Sequence, residues 1–302
     1  MIPPSPPLII LGGRSLVAPY LMQRLGSMGL MGAVVSRRAM SWPEGFRALQ
    51  LDLAETKDWK APSQSVVISL MPIWVLAEHA DCFANAQALI AVSSTSRFGK
   101  AGSADPKERA TAEKLERAED KLREWCERHA IALTILRPTL IYDGEQDQNV
   151  TRMARVMRRF GVFPVAAPAK GLRQPIHADD VAGAIIGALG NPAARGKALN
   201  IAGAEVLTYR QMAERVFLAV GRKPRLLMLP TWLLQAGFRA ASNIGFLREK
   251  AFGFAVFQRM NEDLVFDVDE GLRLLDYKPR GFKPQFCNNR RSNSTSSRKV
   301  LS

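Results

Sequence analysis

The chain of 302 residues is long enough for one large α/β domain with a smaller appendage. Hydrophobic residues make up 47% and charged residues 23%, which is ordinary globular usage and excludes wholesale disorder. The charge is unusual, because 42 Lys and Arg residues against 28 Asp and Glu residues give a formal net charge of +14. A chain this basic favours anionic partners: nucleic acid, anionic lipid or phosphorylated small molecules.

The cysteines and the amino-terminal residues exclude further classes. Cys82, Cys126 and Cys287 are widely spaced and have no histidine at metal-ligand spacing, so we predict reduced thiols and no metal site. The first residues lack the features of a signal peptide, and no apolar window is long enough to span a bilayer. We expect a cytoplasmic protein, with a peripheral contact at the inner membrane as an alternative.

The first half of the chain alternates between strand and helix patterns. A strand over 8–11 leads through a glycine turn into a helix over 16–25. Further strands are predicted over 33–35, 46–53, 66–68, 89–92 and 132–136, and further helices over 73–87 and 106–129. This alternation predicts an α/β fold with a Rossmann-type, doubly wound parallel sheet.

The second half predicts a smaller carboxyl-terminal α/β substrate subdomain. Helices are expected over 150–160, 178–189 and 208–220, followed by an apolar-rich stretch over 226–247. We assign 1–145 to a dinucleotide-binding core that regains a strand and a helix from 175–202, and 146–287 mainly to the substrate subdomain. Residues 288–302, rich in Ser, Asn and basic residues, are expected to form a disordered tail.

The turn after the first strand predicts a phosphate site. A strand, a glycine turn and a helix present free backbone amides and the positive helix end to a pyrophosphate. Gly12, Ser15 and Ala18 occupy the three fingerprint positions, with Gly13 as an extra glycine. Alanine fits the third position, whereas Ser15 departs from the pattern because backbone must approach the phosphate there. A plain βα turn is the alternative interpretation.

Arginines around this turn indicate which dinucleotide would bind. Arg37 and Arg38 directly follow the second strand, where an arginine accommodates the 2′-phosphate of NADP and an acid would bind the ribose of NAD. Arg14 in the turn can share that task. We predict NADP, with NAD as the alternative, and solvated surface arginines as the other interpretation. The candidate cofactor residues here are Gly12, Gly13, Arg14, Ser15, Leu16, Arg37 and Arg38.

Four further segments carry a resemblance to a known family. They are Asp52-Leu53, residues 93–99 (SSTSRFG), residues 137–142 (RPTLIY) and residues 173–182 (RQPIHADDVA). Over roughly 8–282 the chain resembles the extended short-chain dehydrogenase/reductase superfamily, in its NAD-dependent epimerase/dehydratase branch. It is most similar to bacterial proteins labelled nucleoside-diphosphate-sugar epimerases, and also to the nucleotide-binding accessory subunit of respiratory complex I.

The resemblance implies roles for individual residues. Asp52 and Leu53 match the pair that contacts adenine, and Pro138 and Thr139 match the segment beside the nicotinamide. Ser94 matches the hydroxyl residue that polarises the substrate.

Candidate substrate-binding residues follow from the same resemblance. Arg173 matches an arginine that grips the diphosphate of a sugar nucleotide, and Thr95 and Asn149 are further candidates. His177 is interpreted as structural, tying a loop to the start of the next helix, with a general-base role as the alternative.

The catalytic pair is where the resemblance breaks. The family uses Tyr-x-x-x-Lys on the helix after the serine strand, where lysine lowers the tyrosine pKa for proton transfer. Lys121 takes the lysine place, but Arg117 stands four residues earlier and the helix contains no tyrosine. Arginine stays protonated and cannot be a base. Ser94 and Lys121 remain the catalytic candidates. Residues near in sequence that could substitute for the tyrosine are Thr95, Glu113, Glu116 and Asp120; the three acids would be bases if burial raised their pKa, and otherwise only solvate the helix.

A basic segment suggests a second anionic partner. Residues 152–173 carry six Lys or Arg residues and no acid. They face solvent, a nucleotide diphosphate or anionic lipid heads. The stretch 226–247 is either subdomain core or an amphipathic segment on a membrane or partner subunit. Nucleic acid is not expected, because interleaved aromatic residues and a recognisable module are absent.

Two functions follow from these features. The first is an atypical NAD(P)-dependent epimerase, dehydratase or reductase acting on a phosphorylated or nucleotide-linked small molecule. The second is a non-catalytic, nucleotide-binding structural or regulatory subunit of a membrane-associated complex. We favour the oxidoreductase or epimerase, and the missing tyrosine leaves its catalytic activity open.

Overall fold

A parallel sheet of seven strands forms the centre of the computed structural model, which describes residues 7–38, 41–56, 58–234 and 254–286. The strands are β1 (Leu8–Leu11), β2 (Gly32–Ser36), β3 (Phe46–Gln50), β4 (Val66–Ser69), β5 (Ala88–Val92), β6 (Ala132–Pro138) and β11 (Ala198–Ile201). Their order in the sheet is β11-β6-β5-β4-β1-β2-β3, and every neighbouring pair is parallel. This is the predicted doubly wound α/β fold.

Helices cover both faces of this sheet because successive strand side chains point to opposite sides. On one face, Ile10 packs with residues of α1 (Ala18–Ser27) and α6 (Ala178–Gly190). On the other face, Leu11 packs with residues of α2 (Ile73–Glu78) and α4 (Pro106–Arg128). The sheet is therefore buried between two apolar layers.

The long helix α4 starts where local chemistry dictates. The Asp105 side chain accepts a hydrogen bond from the Lys107 amide at 2.9 Å, and Pro106 occupies the first turn. Leu115 and Leu122 lie on the buried face of the helix. The observed bounds confirm the helix predicted over 106–129.

The helix predicted over 73–87 is wrong beyond Glu78. α2 ends there, and a short 3₁₀ helix (Ala80–Phe83) follows. The Cys82 and Asn85 carbonyls instead accept hydrogen bonds from the amides of Ala61 and Gln64, both at 2.8 Å. These hydrogen bonds to a loop far away in the sequence take the place of the hydrogen bonds that a longer helix would make.

The third strand is also shorter than predicted. β3 ends at Gln50, because the Asp52 side chain accepts a hydrogen bond from the Ala54 amide at 3.1 Å and closes a turn.

The second half of the chain builds a third apolar cluster. Its members include Tyr142, Met157, Phe163, Phe217 and Phe282. The boundary between the dinucleotide-binding core and the substrate subdomain, which the sequence predicts between residues 145 and 146, stays a proposal. The elements of this half, with the short helix before α4, are α3 (Ser96–Gly99), β7 (Ile141–Tyr142), α5 (Val150–Phe160), β8 (Phe163–Ala166), β9 (Leu172–Arg173), β10 (Ile176–His177), a 3₁₀ helix (Pro192–Ala194), β12 (Leu207–Thr208), α7 (Tyr209–Ala219), β13 (Leu226–Leu229), α8 (Phe254–Arg259) and α9 (Asp269–Leu275).

Small sheets hold these elements together. β7 pairs with β10, and β8 pairs with β13, in parallel; β9 and β12 pair antiparallel. The apolar stretch predicted over 226–247 begins as strand β13, while residues 235–247 and the predicted tail lie outside the described residues. Among the described helices, none has the length and apolarity needed to cross a bilayer.

Candidate functional site

A cleft of about 620 Å³ opens at the carboxyl ends of the central strands. Its lining reaches from the turn after β1 across the residues that follow β5 and β6. In a doubly wound sheet, ligands bind at this edge. Seven of the residues singled out from the sequence line the cleft: Leu16, Ser94, Thr95, Pro138, Thr139, Asn149 and Arg173.

The glycine turn beside the cleft has the geometry of an anion cradle. Gly12 has φ +81°, and a Cβ there would lie 2.8 Å from the Met71 nitrogen, so a glycine is required. Ser15 Oγ accepts a hydrogen bond from the Val17 amide at 3.3 Å. Within the described residues, no acceptor meets the amides of Gly13, Arg14 and Leu16. Such free amides at a turn before a helix suit a phosphate.

Trp42 closes one side of this turn. A Cβ added to Gly13 would lie 2.5 Å from the indole ring and 3.0 Å from a methyl group of Val34. The Trp42 Nε1 atom is buried without a hydrogen-bond partner in the described part of the chain. No sequence signal pointed to Trp42, because it lies in the loop between β2 and β3.

The other predicted cofactor residues lie at the ends of β2 and β3, outside the lining of the cleft. Arg37 and Arg38 are exposed, and neither forms an ion pair with a described carboxylate. The Asp52 carboxylate accepts a hydrogen bond from the Ala54 amide, and the Leu53 side chain is buried in the core. The two arginines are thus exposed to solvent, where a ligand can reach them. Asp52 and Leu53, in contrast, make contacts within the fold.

Three hydroxyl groups form the floor of the cleft. Thr95 Oγ1 donates to the Pro138 carbonyl at 3.2 Å, and Thr139 Oγ1 donates to the Gln174 carbonyl at 2.5 Å. Ser94 Oγ accepts from the Ser96 amide at 3.1 Å, and no described group accepts its proton. Ser94 is therefore the hydroxyl of the three that can donate to a ligand.

A buried carboxylate holds this floor in place. Glu119 accepts hydrogen bonds from Ser93 Oγ at 2.5 Å, Arg97 Nη1 at 2.6 Å and Arg137 Nη2 at 2.5 Å. Burial acts to raise the pKa of Glu119, but the hydrogen bonds from Arg137, Ser93 and Arg97 outweigh it and lower the pKa. Glu119 is thus an ionised carboxylate whose two oxygen atoms both accept hydrogen bonds, and it positions the loop after β5. The sequence showed Arg137 in a motif but gave no signal for its partner.

Helix α4 contributes no side chain to the lining of the cleft. Lys121 is exposed and, unlike Ser94, does not line the cleft. Arg117 is exposed and pairs with Glu113 at 2.8 Å. The other two candidate acids are also ion-paired, Glu116 with Arg97 at 3.1 Å and Asp120 with Arg123 at 2.9 Å.

Four cations also line the cleft. They are Lys100, Arg152, Arg173 and Arg259, and no carboxylate of the described residues belongs to the lining. Arg259 pairs with Glu108, which lies outside the lining. Burial, with the Arg259 charge, lowers the pKa of Lys100. Lys100 and Arg259 come from short elements with no recognisable motif, and sequence reasoning missed them.

Arg173 is a buried cation held by backbone carbonyls. Its Nη1 donates to the carbonyls of Leu172 and Glu262 at 2.7 Å, and its Nη2 donates to the Arg259 carbonyl. Its guanidinium lies 5.5 Å from the centre of the Tyr209 ring. Burial lowers the pKa of Arg173 to about 10. Arg173 thus holds the backbone at Arg259 and forms no ion pair with a described carboxylate.

His177 has the structural place expected for it. Its Nδ1 accepts a hydrogen bond from the Asp179 amide at 3.1 Å and caps α6. The ring packs edge-on against Tyr20 and Tyr142, with centroids 5.3 Å and 5.1 Å away. Burial and the Arg280 charge lower its pKa. His177 does not line the cleft.

Comparison with known proteins gives one match among curated sequences. Over 98 residues the chain is 29% identical to NADH dehydrogenase [ubiquinone] 1 alpha subcomplex subunit 9, mitochondrial, of Arabidopsis thaliana. The match covers 32% of this chain and only 24% of that protein. No protein-family model matches the chain.

Solved structures match over almost the whole chain. Epimerase Mth375 from Methanothermobacter thermautotrophicus has a TM-score of 0.67 at 12% identity, over 92% of this chain and 88% of that one. MoeE5 in complex with UDP-glucuronic acid and NAD has a TM-score of 0.68 at 15% identity, over 92% and 96%. UDP-glucuronic acid 4-epimerase from Bacillus cereus, in complex with NAD, has a TM-score of 0.67 at 14% identity, over 92% and 93%.

The class of the fold follows from these matches. The chain has the fold of the NAD-dependent epimerases and dehydratases, that is, of the extended short-chain dehydrogenase/reductases. The resemblance carried by the sequence motifs is thereby confirmed at the level of the fold.

Proposed function

We propose that this protein binds a nicotinamide dinucleotide at the glycine turn and an anionic, nucleotide-linked or phosphorylated small molecule in the adjoining cleft. The observation that carries the proposal is the lining of the cleft, where Leu16 of the turn and four cations come together and the described residues contribute no carboxylate. Proteins of the same fold are solved with NAD together with UDP-glucuronic acid or UDP-glucose. A cationic cleft attracts and orients such diphosphates.

The residues around the turn fit a dinucleotide. The amides of Gly13, Arg14 and Leu16 would hold the pyrophosphate, and Pro138 and Thr139 would lie beside the nicotinamide. Arg37 and Arg38 would bind a 2′-phosphate, which favours NADP over NAD. When bound, the dinucleotide supplies the hydride chemistry.

The cleft residues would then orient the substrate and move its proton. Arg173, Thr95 and Asn149 would hold the anionic part of the substrate, and Ser94 would donate a hydrogen bond to the reacting oxygen. The cleft also carries a candidate proton acceptor, Lys100, because its lowered pKa increases its neutral fraction. The only tyrosine lining the cleft is Tyr209, whose pKa burial raises to about 12, so it is a poor base at neutral pH.

A binding and turnover experiment tests this function. The purified protein would be examined for absorbance near 340 nm from retained NADPH, and titrated with NADPH and NADH by calorimetry. A panel of UDP-sugars would follow, with turnover read by conversion between sugar epimers and by hydride exchange. We expect NADPH binding and turnover of at least one nucleotide-linked sugar. Absence of binding to both dinucleotides would contradict the proposal.

The second candidate is a nucleotide-binding, non-catalytic subunit of a membrane-associated complex. The observation that favours it is that α4, which would carry the catalytic pair, gives no residue to the cleft. The sequence match to a complex I subunit adds support. Retained NADPH without turnover, together with copurification of membrane proteins, would favour this candidate over the enzyme. A cytoplasmic location with a contact at the inner membrane fits either candidate.

A further inference from the structure

One end of the second half exposes apolar side chains among arginines and lysines. Phe160 is 63% exposed at the end of α5, Leu218 is 64% exposed at the end of α7, and Leu227 is 50% exposed on β13. We call this end the basic apolar surface. Its members are Arg158, Arg159, Phe160, Val162, Leu218, Arg222, Lys223, Arg225 and Leu227.

Direct contacts bring these members together. The Arg222 Nη2 atom donates to the Arg158 carbonyl at 2.8 Å, so the loop after α7 lies against the end of α5. The amide of Phe163, which follows Val162, donates to the Arg225 carbonyl at 3.1 Å. Beyond this point β13 runs parallel to β8, with Leu227 paired to Pro164. The exposed residues therefore belong to one continuous part of the molecule.

The surface continues along β13. Met228 on that strand is exposed, and the helical residues 231–234 that follow include Trp232, which is 66% exposed, and Leu233. Exposed Trp and Phe beside basic residues are typical of proteins that sit at the headgroup level of a bilayer.

No negative charge from the same segments interrupts this surface. The chain has no Asp or Glu over 148–178 or over 215–234. Arg159, Arg222, Lys223 and Arg225 form no ion pair with any carboxylate of the described residues. A solvated face of a monomer normally mixes both signs of charge and avoids clustered apolar residues.

The basic segment noted in the sequence thus divides between two places. Arg152 and Arg173 line the cleft, whereas Arg158 and Arg159 lie at the opposite end of α5 on the basic apolar surface. The cleft therefore accounts for only part of the basic charge.

We propose that the basic apolar surface binds the anionic headgroups of a lipid bilayer, with Phe160, Leu227 and Trp232 at the boundary with the acyl chains. A bilayer requires only protruding apolar groups beside cations, which is what this surface presents. A protein partner would instead need pockets for the main apolar groups and a surface of opposite charge that matches this one in shape. The inference does not depend on the proposed cofactor or substrate.

Vesicle binding tests the proposal. The full chain would be sedimented with vesicles of phosphatidylcholine alone or mixed with phosphatidylglycerol, at low and high salt. We expect binding to the mixed vesicles, weakened by salt. Each cation contributes about fivefold to the binding constant. The triple variant Arg222→Glu, Lys223→Glu, Arg225→Glu should therefore bind more than about 100-fold more weakly.

A matched control separates the effect of this surface on vesicle binding from the effect of the net charge of the protein. The variant Lys107→Glu, Arg128→Glu, Lys278→Glu makes the same change in charge at exposed positions elsewhere. It should keep most of the vesicle binding, and circular dichroism would verify that both triple variants are folded. An equal loss in the two variants, or no binding of the native chain to anionic vesicles, would overturn the proposal and favour a protein partner.

Tryptophan fluorescence gives a second readout. Trp232 is the exposed tryptophan of the five, because Trp42, Trp59, Trp74 and Trp125 are partly or fully buried. Brominated lipids should quench the native chain on binding, and the quenching should be lost in Trp232→Phe although that variant still sediments with the vesicles. Unchanged quenching in Trp232→Phe would refute the assigned orientation.

Discussion

A single buried residue organises the loop that forms the floor of the cleft. Glu119 of α4 joins Ser93 and Arg97, both from the segment after β5, to Arg137 of β6. Two arginines around one buried carboxylate leave no uncompensated negative charge. Removal of the carboxylate would leave the nearly buried Arg137 without a described ion-pair partner, whereas Arg97 would keep Glu116. The site is therefore sensitive to this residue although Glu119 does not line the cleft.

The substitution Glu119→Gln should lower the free energy of unfolding by about 3–5 kcal/mol, because it leaves a buried ion network unpaired. Denaturant unfolding measures the loss. The matched control is Glu116→Gln, which removes an exposed partner of Arg97 and should cost no more than about 1 kcal/mol. Equal losses in the two variants would contradict a special role for the buried carboxylate.

The same residue sets a dependence of stability on pH. Because the folded-state pKa of Glu119 is lowered, its stabilisation is present above the unfolded value of about 4.3 and is lost as the pH falls through the folded pKa. Unfolding measured from neutral to acidic pH should show a steeper decline for the native chain than for Glu119→Gln. Parallel curves would exclude this contribution.

Lys100 gives a prediction about activity. If it accepts the substrate proton, Lys100→Met should lower kcat by about 10²–10⁴-fold once a substrate is found. Because only neutral lysine can accept a proton, native kcat should rise with pH toward the lowered pKa of Lys100. The kcat of a Lys121→Met control should change little, since that side chain is exposed outside the cleft. Loss of kcat in Lys121→Met alone would reverse the assignment.

At the scale of elements, the sequence predicts structure well where local patterns decide it. The helix over Val150–Phe160 matches its prediction at both ends, because an amphipathic pattern precedes Gly161, whose φ of +71° ends the helix. The prediction of a helix over 73–87 is wrong in its second half, because carbonyl groups there accept hydrogen bonds from the loop residues Ala61 and Gln64. A local sequence pattern cannot predict hydrogen bonds to residues so far away in the chain.

The residues of the candidate site also divide into those that local sequence patterns predict and those that only the tertiary structure reveals. Ser94, Pro138 and Thr139 follow predicted strands, so their place at the sheet edge could be inferred from the sequence. Trp42 and Arg259 reach the site through packing between segments far apart in the chain. Their positions could not be predicted without the tertiary structure.

The turn between β1 and α1 is an element whose geometry can be tested. Gly12→Ala should destabilise the protein by more than about 2 kcal/mol, because it adds a steric clash with backbone to the strain of a positive φ. Gly29→Ala is the control: its φ is +70° with no atom within 4 Å, so it should cost about 1–2 kcal/mol. Thermal unfolding compares the two variants. A smaller loss at Gly12 would argue against a tightly packed turn.

At the scale of the whole molecule, the positive charge is distributed over separate surfaces. Four cations line the cleft, Arg37 and Arg38 lie at the end of β2, and a third group belongs to the basic apolar surface. Within the described residues, the two arginines at the end of β2 and Arg222, Lys223 and Arg225 of the basic apolar surface form no ion pair with a carboxylate. Different anions should therefore bind independently, and ligand at one surface should stabilise the whole fold.

This predicts a stability shift that distinguishes the two dinucleotides. At a free concentration of about 100 times Kd, a ligand that binds only the native state adds about 2.7 kcal/mol to the free energy of unfolding. NADPH should thus raise the Tm by several degrees, and more than NADH at equal concentration, because only NADPH carries the phosphate that Arg37 and Arg38 would bind. The variant Arg37→Ala, Arg38→Ala should abolish this difference and leave the NADH shift unchanged, while Arg47→Ala, at an exposed site on β3, should preserve both shifts. Equal shifts for the two dinucleotides in the native chain would remove the preference for NADP, because the 2′-phosphate would then make no net contribution to binding.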